Sequence, residues 1–155
     1  MSRLRLAIAA DHAGAALKAA IVARVGQVAP EWSVIDLGGD GSDPTDDYPD
    51  SARAVAERMI AGHADRGLVI CGSGIGVTIA ANKFHGIRAS IAHDPASAEQ
   101  GVVHDSMNVL SLGAKVVDLP TASAVLAAFL GATPSDAERF VRRTKKVRQI
   151  EEEQG

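Results

Sequence analysis

The chain has 155 residues, 46% hydrophobic and 23% charged, with a formal net charge of -3. That length supports one domain with a full core, expected over residues 1–155, and the acidic balance excludes a general nucleic-acid binder, which would be basic. No apolar run reaches membrane-spanning length, the opening MSRLRLAIAADHAG is charged too soon for a secretory leader, and a single cysteine excludes an internal disulfide and fits a reducing, cytoplasmic setting.

Aromatic residues make up only 3%, so Ala, Val, Ile and Leu must build the core. Leu4 to Ala10 (LRLAIAA) reads as a first strand, followed by the polar turn Asp11-His12-Ala13-Gly14. Leu17, Ala20, Ile21, Val25 and Val28 recur at helical spacing, as one face of an amphipathic helix. Ser33 to Leu37 is a second strand, stopped by Gly38 and Gly39. The chain thus opens as βαβ, and Asp11 and His12 reach the edge where parallel sheets bind ligands. The plainer reading of His12 is a helix cap or a solvated turn.

Gly38 to Asp50 (GGDGSDPTDDYPD) is the one long loop and carries five aspartates. Asp40, Asp43, Asp46 and Asp47 miss the alternating register of a calcium loop, and no glutamate closes it, so they read as turn and cap residues. Tyr48, the only tyrosine, is a candidate to face the site from here, and Pro49 suits a first helical position. Ala52, Val55, Ala56, Met59 and Ile60 mark the buried face of the next helix.

The stretch Gly67 to Lys83 (GLVICGSGIGVTIAANK) organises the rest. Leu68, Val69 and Ile70 form a strand apolar on both faces, Cys71 stands at its carboxyl end, Gly72 to Gly76 make a turn, and Val77 to Asn82 open a helix. Two readings of Cys71 remain: a small core hydrophobe at a tight connection, or an acid or base facing an anion held by free backbone N–H groups. Gly86 to Ala92 reads as a fourth strand, about Ala96 to Val103 as a helix, Asn108 to Leu112 as a fifth strand and Thr121 to Leu130 as a helix. The last helix is expected from about Pro134 to Glu152, with Phe140, Val141, Thr144 and Val147 as its packing stripe. Alternating strands and helices imply a parallel sheet covered on both faces.

The glycine loop fails the sharper templates. GSGIGV is G-x-G-x-G and does not follow the first strand, as a dinucleotide fingerprint requires, and Gly76 is followed by Val77 and Thr78 rather than the Lys-Ser/Thr of a P-loop. Cys71 stands where a hydrolase elbow needs glycine, and no histidine or cysteine pair has zinc spacing. In the basic tail Arg142 to Arg148 most charges read as a solvated face, but Arg139 and Arg143 lie four apart, as a phosphate clamp requires. The tail runs on into Glu151, Glu152 and Glu153, against a nucleic-acid partner.

Taken in order, DHAG (Asp11 to Gly14), VIDLG (Val34 to Gly38), DYP (Asp47 to Pro49), CGSGIGVTIAANK with GIRA (Cys71 to Lys83, Gly86 to Ala89), HD then NVL (His104, Asp105, Asn108 to Leu110) and the Arg139/Arg143 pair resemble the type B ribose-5-phosphate isomerases, in the family shared with galactose-6-phosphate isomerase. The resemblance covers nearly the whole chain. It implies a Rossmann-like three-layer α/β/α sandwich with a five-stranded parallel sheet. It implies a homodimer, or a dimer of dimers, sharing active sites, with the last helix docking on a partner subunit. It implies metal-independent aldose–ketose isomerisation with no cofactor. Cys71 would move the proton, and the amides of Gly72, Ser73, Gly74 and Gly76 with the Ser73 hydroxyl would hold the enediolate oxygens. Asp11, and His104 from the partner, would assist ring opening; His12, Arg139 and Arg143 would bind phosphate. Tyr48, Asp105, Asn108 and Lys115 complete the expected substrate-binding set.

Three positions depart from the pattern. Lys115 stands where many members have a phosphate-binding arginine, Asp105 where asparagine is usual and Phe140 where histidine is common. None touches the expected base or oxyanion hole, so they bear on the sugar more than on the reaction. The expected substrate pair is ribose 5-phosphate and ribulose 5-phosphate. The rivals are an isomerase of a tetrose or hexose phosphate and, from another class, a nucleotide-binding module without chemistry.

Overall fold

Runs that are apolar at every position, such as Leu6 to Ala10 and Leu68 to Cys71, suit strands covered on both faces. The computed structural model, which describes residues 3–155, places both at the centre of one sheet. Met1 and Ser2, part of the domain expected over 1–155, lie outside the described residues. The strands are β1 (Leu4–Ala10), β2 (Trp32–Asp36), β3 (Arg66–Cys71), β4 (Ala89–Ile91) and β5 (Val109–Gly113). They lie in the order β2-β1-β3-β5-β4, and every neighbouring pair is parallel. The helices are α1 (Ala15–Val22), α2 (Val25–Val28), α3 (Tyr48–Ile60), α4 (Ile75–Ala81), α5 (Pro95–Asp105), α6 (Leu119–Gly131) and α7 (Glu138–Gln154).

Strand alternation sorts the core into two layers. Leu6, Ile8, Leu68, Ile70, Leu110 and Leu112 pack with Ile21, Val25, Val102, Val125, Leu126 and Phe129 from α1, α2, α5 and α6. Ala7, Ala9, Val69, Cys71 and Val109 pack on the other face with Ala52, Val55, Ala56, Val77 and Ala81 from α3 and α4. This is the three-layer Rossmann-like fold expected above. Each fully buried leucine or isoleucine contributes about 1.5–3 kcal/mol, and the second layer, built largely from alanine and valine, draws less from each residue.

Several elements depart from the sequence reading, each for a packing reason. The first helix breaks between Val22 and Val25, and Lys18 joins Ala15 and Ile21 as its buried residues while Leu17 is only partly buried. Lys18, only 4% exposed, tolerates burial because its Nζ donates to Asp36 Oδ1 at 2.6 Å and to the Gly38 carbonyl at 2.9 Å. β4 spans three residues rather than Gly86 to Ala92, since it pairs only with β5. Asparagine side chains supply the missing ladder. Asn108 accepts from Arg88 N–H at 2.7 Å and donates to the Gly86 carbonyl at 2.8 Å, while Asn82 bonds both main-chain groups of Ala89. His104 and Asp105 close α5 rather than entering a loop. The last helix begins at Glu138, not near Pro134, and of its predicted stripe only Phe140 is buried. Val141 and Val147 are about half exposed, as is Ile60 on α3. No helix of the described residues is long and apolar enough to cross a membrane.

Candidate active site

Parallel pairing brings the carboxyl ends of all strands to one edge. The chain moves outward from β1 to β2 and then crosses to β3, so the order reverses between β1 and β3. Ligands bind at such a switch point. Ala10 is level with Ile70 and Cys71 with Gly113, so Asp11, Cys71 and the turn after β5 end together. There a cleft of about 440 Å³ is lined by Asp11, Ala13, Tyr48, Cys71, Gly72, Ser73, Gly76, Lys115 and Val116, a size suited to a small ligand.

Cys71 is 5% exposed, and Gly74 N–H donates to its Sγ at 3.2 Å. Ser73 Oγ accepts from Ile75 N–H at 3.1 Å. Among the described residues, the N–H groups of Ser73 and Gly76 have no partner. Such N–H groups supply the hydrogen-bond donors an oxyanion needs. Gly74 makes the turn with φ +84°, and a Cβ there would sit 3.0 Å from the Leu112 carbonyl carbon and 3.1 Å from Gly113 N. Gly74→Ala is therefore expected to cost about 1–3 kcal/mol from its left-handed backbone and this contact. Urea unfolding measures the loss, and an unchanged midpoint would mean that the loop relaxes freely. Gly76 lets the Tyr48 ring close over α4, since a Cβ would meet ring carbons at 2.7–3.0 Å.

Asp11 Oδ1 accepts from Gly14 N–H at 3.1 Å, which fixes the turn after β1. His12 stands on the same edge without lining the cleft. Both its main-chain N–H and its Nδ1 meet Asp46 Oδ1 at 2.7 Å. That side-chain bond first, with the Asp11 charge adding to it, holds the imidazole pKa above its ordinary value. Asp46 had no signal in sequence beyond its neighbours. Asp40 and Asp43 do serve as turn residues, accepting from Ser42 and Thr45 N–H at 2.8 and 2.9 Å.

The remaining predicted residues gather elsewhere. α5 returns from the carboxyl edge to the amino edge, so His104 and Asp105, in its last turn, stand at the opposite edge from Cys71. His104 stacks on Phe140 with ring centroids 4.2 Å apart, and the Arg139 and Arg143 guanidiniums lie 4.4 and 5.9 Å from the same ring. Asn108 opens the turn into β5 on this edge, its side chain taken by Gly86 and Arg88. One set is therefore Asp11, His12, Tyr48, Cys71, Gly72, Ser73, Gly74, Gly76 and Lys115; the other is His104, Asp105, Asn108, Arg139 and Arg143. A groove of about 980 Å³ runs beneath α7 between α5 and β4, with Asp105, Arg88, Arg148 and the exposed Val147 and Ile150 on its walls. It touches none of the first set. No cluster of three metal-ligating side chains occurs among the described residues.

Fold and cleft define a Rossmann-like α/β protein with a small-ligand site at its switch point. Comparison with known proteins takes this further. The family model described as ribose/galactose isomerase matches residues 6–147. Ribose-5-phosphate isomerase B of Escherichia coli is 40% identical over 96% of this chain and 97% of its own length. D-erythrulose-4-phosphate isomerase 2 of Mycolicibacterium smegmatis is 43% identical over 83% of this chain and 84% of its own. The type B ribose 5-phosphate isomerase of Trypanosoma cruzi superposes with a TM-score of 0.94 at 32% identity, covering all of both chains. The chain belongs to the ribose/galactose isomerase family and is, by that membership, a sugar-phosphate isomerase.

Proposed function

We propose that the protein interconverts ribose 5-phosphate and ribulose 5-phosphate through an enediolate, in a site completed by a second copy of the chain. The observation that carries this is the Cys71 sulfur in a small cleft beside the unpaired N–H groups of Ser73 and Gly76. Cys71 takes the proton from C2 of the open-chain aldose, and the C–H electron pair forms the C1–C2 double bond as the carbonyl pair moves onto O1. The loop amides and the Ser73 hydroxyl hold the developing negative oxygen. Return of the proton to C1, with the O2 proton passing to O1, gives the ketose. Asp11 serves ring opening from the cleft, and His104 serves it from the second copy.

The shared site is supported by the two edges on which the residues stand, and by the groove and exposed apolar residues along α7. A homodimer, or a dimer of dimers, in the cytoplasm and in pentose phosphate metabolism follows from this reading. His12, Arg139 and Arg143 hold the phosphate, with Lys115 adding a single-point cation where an arginine would give a bidentate contact.

A panel of sugar phosphates tests the substrate. Turnover of ribose 5-phosphate is the expected result. Turnover of erythrulose 4-phosphate or galactose 6-phosphate without it would move the substrate to a tetrose or hexose. Thermal stabilisation by ATP or NAD, with none by sugar phosphates, would favour the binding module.

A pH profile tests His12. The imidazolium binds phosphate and the neutral ring does so less well, so affinity falls as pH rises through the pKa of His12. Asp46 raises that pKa. In Asp46→Asn, whose amide still accepts from the main-chain N–H, KM should begin to climb at a lower pH than in the wild type. The two proteins should agree at more acid pH. Superimposable KM profiles would remove His12 from phosphate binding.

A further inference from the structure

We propose that Phe140 is a positioning residue, whose ring ties His104, Arg139 and Arg143 into one unit that is delivered to the Cys71 cleft of a second copy. This rests on the isomerase reading above and adds to it a residue outside the expected site.

Phe140 is only 8% exposed, yet it belongs to neither apolar layer of the core. Polar side chains gather on its ring. The His104 imidazole lies on the ring at 4.2 Å with an interplanar angle of 11°, a stacked arrangement. The Arg139 and Arg143 guanidiniums lie 4.4 and 5.9 Å from its centroid. Three groups from two helices thus share one aromatic ring. Arg142, on the same helix, is instead taken by Glu138 at 2.6 Å. Among the described residues neither Arg139 nor Arg143 meets a carboxylate, which leaves both free for an anion.

Two arginines four apart on a helix repel each other. The ring offers both guanidiniums its negative face, which offsets that repulsion without consuming their hydrogen-bond donors. It also sets the distance between the imidazole and the phosphate clamp, and so between the two ends of a bound sugar phosphate. A histidine at this position would take a proton at acid pH and add positive charge beside His104, Arg139 and Arg143, next to Asp105. Phenylalanine has no proton to take, so the spacing of the unit does not depend on its protonation.

Phe140→Leu and Phe140→Tyr, each made in the full chain, separate the ring from its volume. Steady-state rates with ribose 5-phosphate are measured beside the NMR shifts of the His104 ring protons. Phe140→Leu should lose about ten- to a hundred-fold in kcat/KM, the scale of a misplacement near 1 Å, with KM clearly raised as the clamp opens. Its His104 protons should move downfield as the ring current disappears. Phe140→Tyr keeps the ring and should retain kcat/KM and the upfield shifts. A lower kcat at unchanged KM in Phe140→Leu would reflect only lost folded enzyme and would overturn the proposal. So would equal losses in both variants, or wild-type constants in Phe140→Leu. Wild-type protein with no sugar-phosphate turnover would overturn the isomerase reading, and this proposal with it. An active wild type beside an unaffected Phe140→Leu would overturn this proposal alone.

Discussion

Cys71→Ser should give a folded protein that has lost about 10²- to 10⁴-fold of its turnover or more, the usual worth of general-base assistance. The fold should survive because the volume change is small at a position packed against Val69 and Val77, and because the Gly74 N–H that now meets Sγ can meet Oγ instead. Turnover should not survive, because a serine hydroxyl keeps its proton at neutral pH, and Asp11, the carboxylate that shares the cleft, has its Oδ1 held by Gly14 N–H. Two further measurements bear on the same atom. Iodoacetamide should modify the single cysteine, and a bound sugar phosphate should protect it. Solvent deuterium should enter the product at the carbon beside the carbonyl, to the extent that the thiol exchanges with water between the two transfers. A folded Cys71→Ser protein with near wild-type turnover would return Cys71 to the plainer reading of a core thiol at a strand end.

Mixing two inactive proteins should restore activity. Arg139→Ala removes half of the phosphate clamp and Cys71→Ala removes the base, and the two positions stand at opposite edges of one sheet. No side-chain movement within a chain brings them together, because the lengths of α5 and of the strands separate the amino edge from the carboxyl edge. In a hybrid dimer one of the two sites carries both intact halves. Random exchange between equal amounts should therefore restore roughly one wild-type site in four. The assay follows turnover of the mixture against each variant alone, with mass-tagged chains to confirm exchange. Complete exchange with no gain would sink the shared site.

The central strands were legible from the sequence alone, because a strand buried on both faces must be apolar at every position, and LAIAA (Leu6 to Ala10) and GLVIC (Gly67 to Cys71) are. Leu4 to Ala10 was read to the residue. The parallel sheet followed from the alternation of elements. The placement of Asp11, Cys71 and the glycine turn at the carboxyl edge was legible too, since each ends or directly follows a strand. Local pattern decided much less at the margins. Edge strand β4 is short because side chains of Asn82 and Asn108 occupy its hydrogen-bonding groups, and neither asparagine differs in sequence from a turn residue. Lys18 looked like the polar side of a helix until Asp36, eighteen residues on, came within 2.6 Å of it. Asp46 was one of five aspartates in a loop, and only the folded chain sets it on the main-chain N–H and Nδ1 of His12 rather than on its own turn. That His104 and Arg139 stand, within one chain, at the edge opposite Cys71 is in no local pattern; only the family resemblance expected His104 from a partner subunit. The reason is physical. Hydrophobic period reports which face of an element is covered, and nothing more. Pairing between side chains far apart in sequence, and the edge to which a returning helix delivers its last turn, depend on the direction of each crossover and on the order of strands, which here is set only when β5 inserts between β3 and β4.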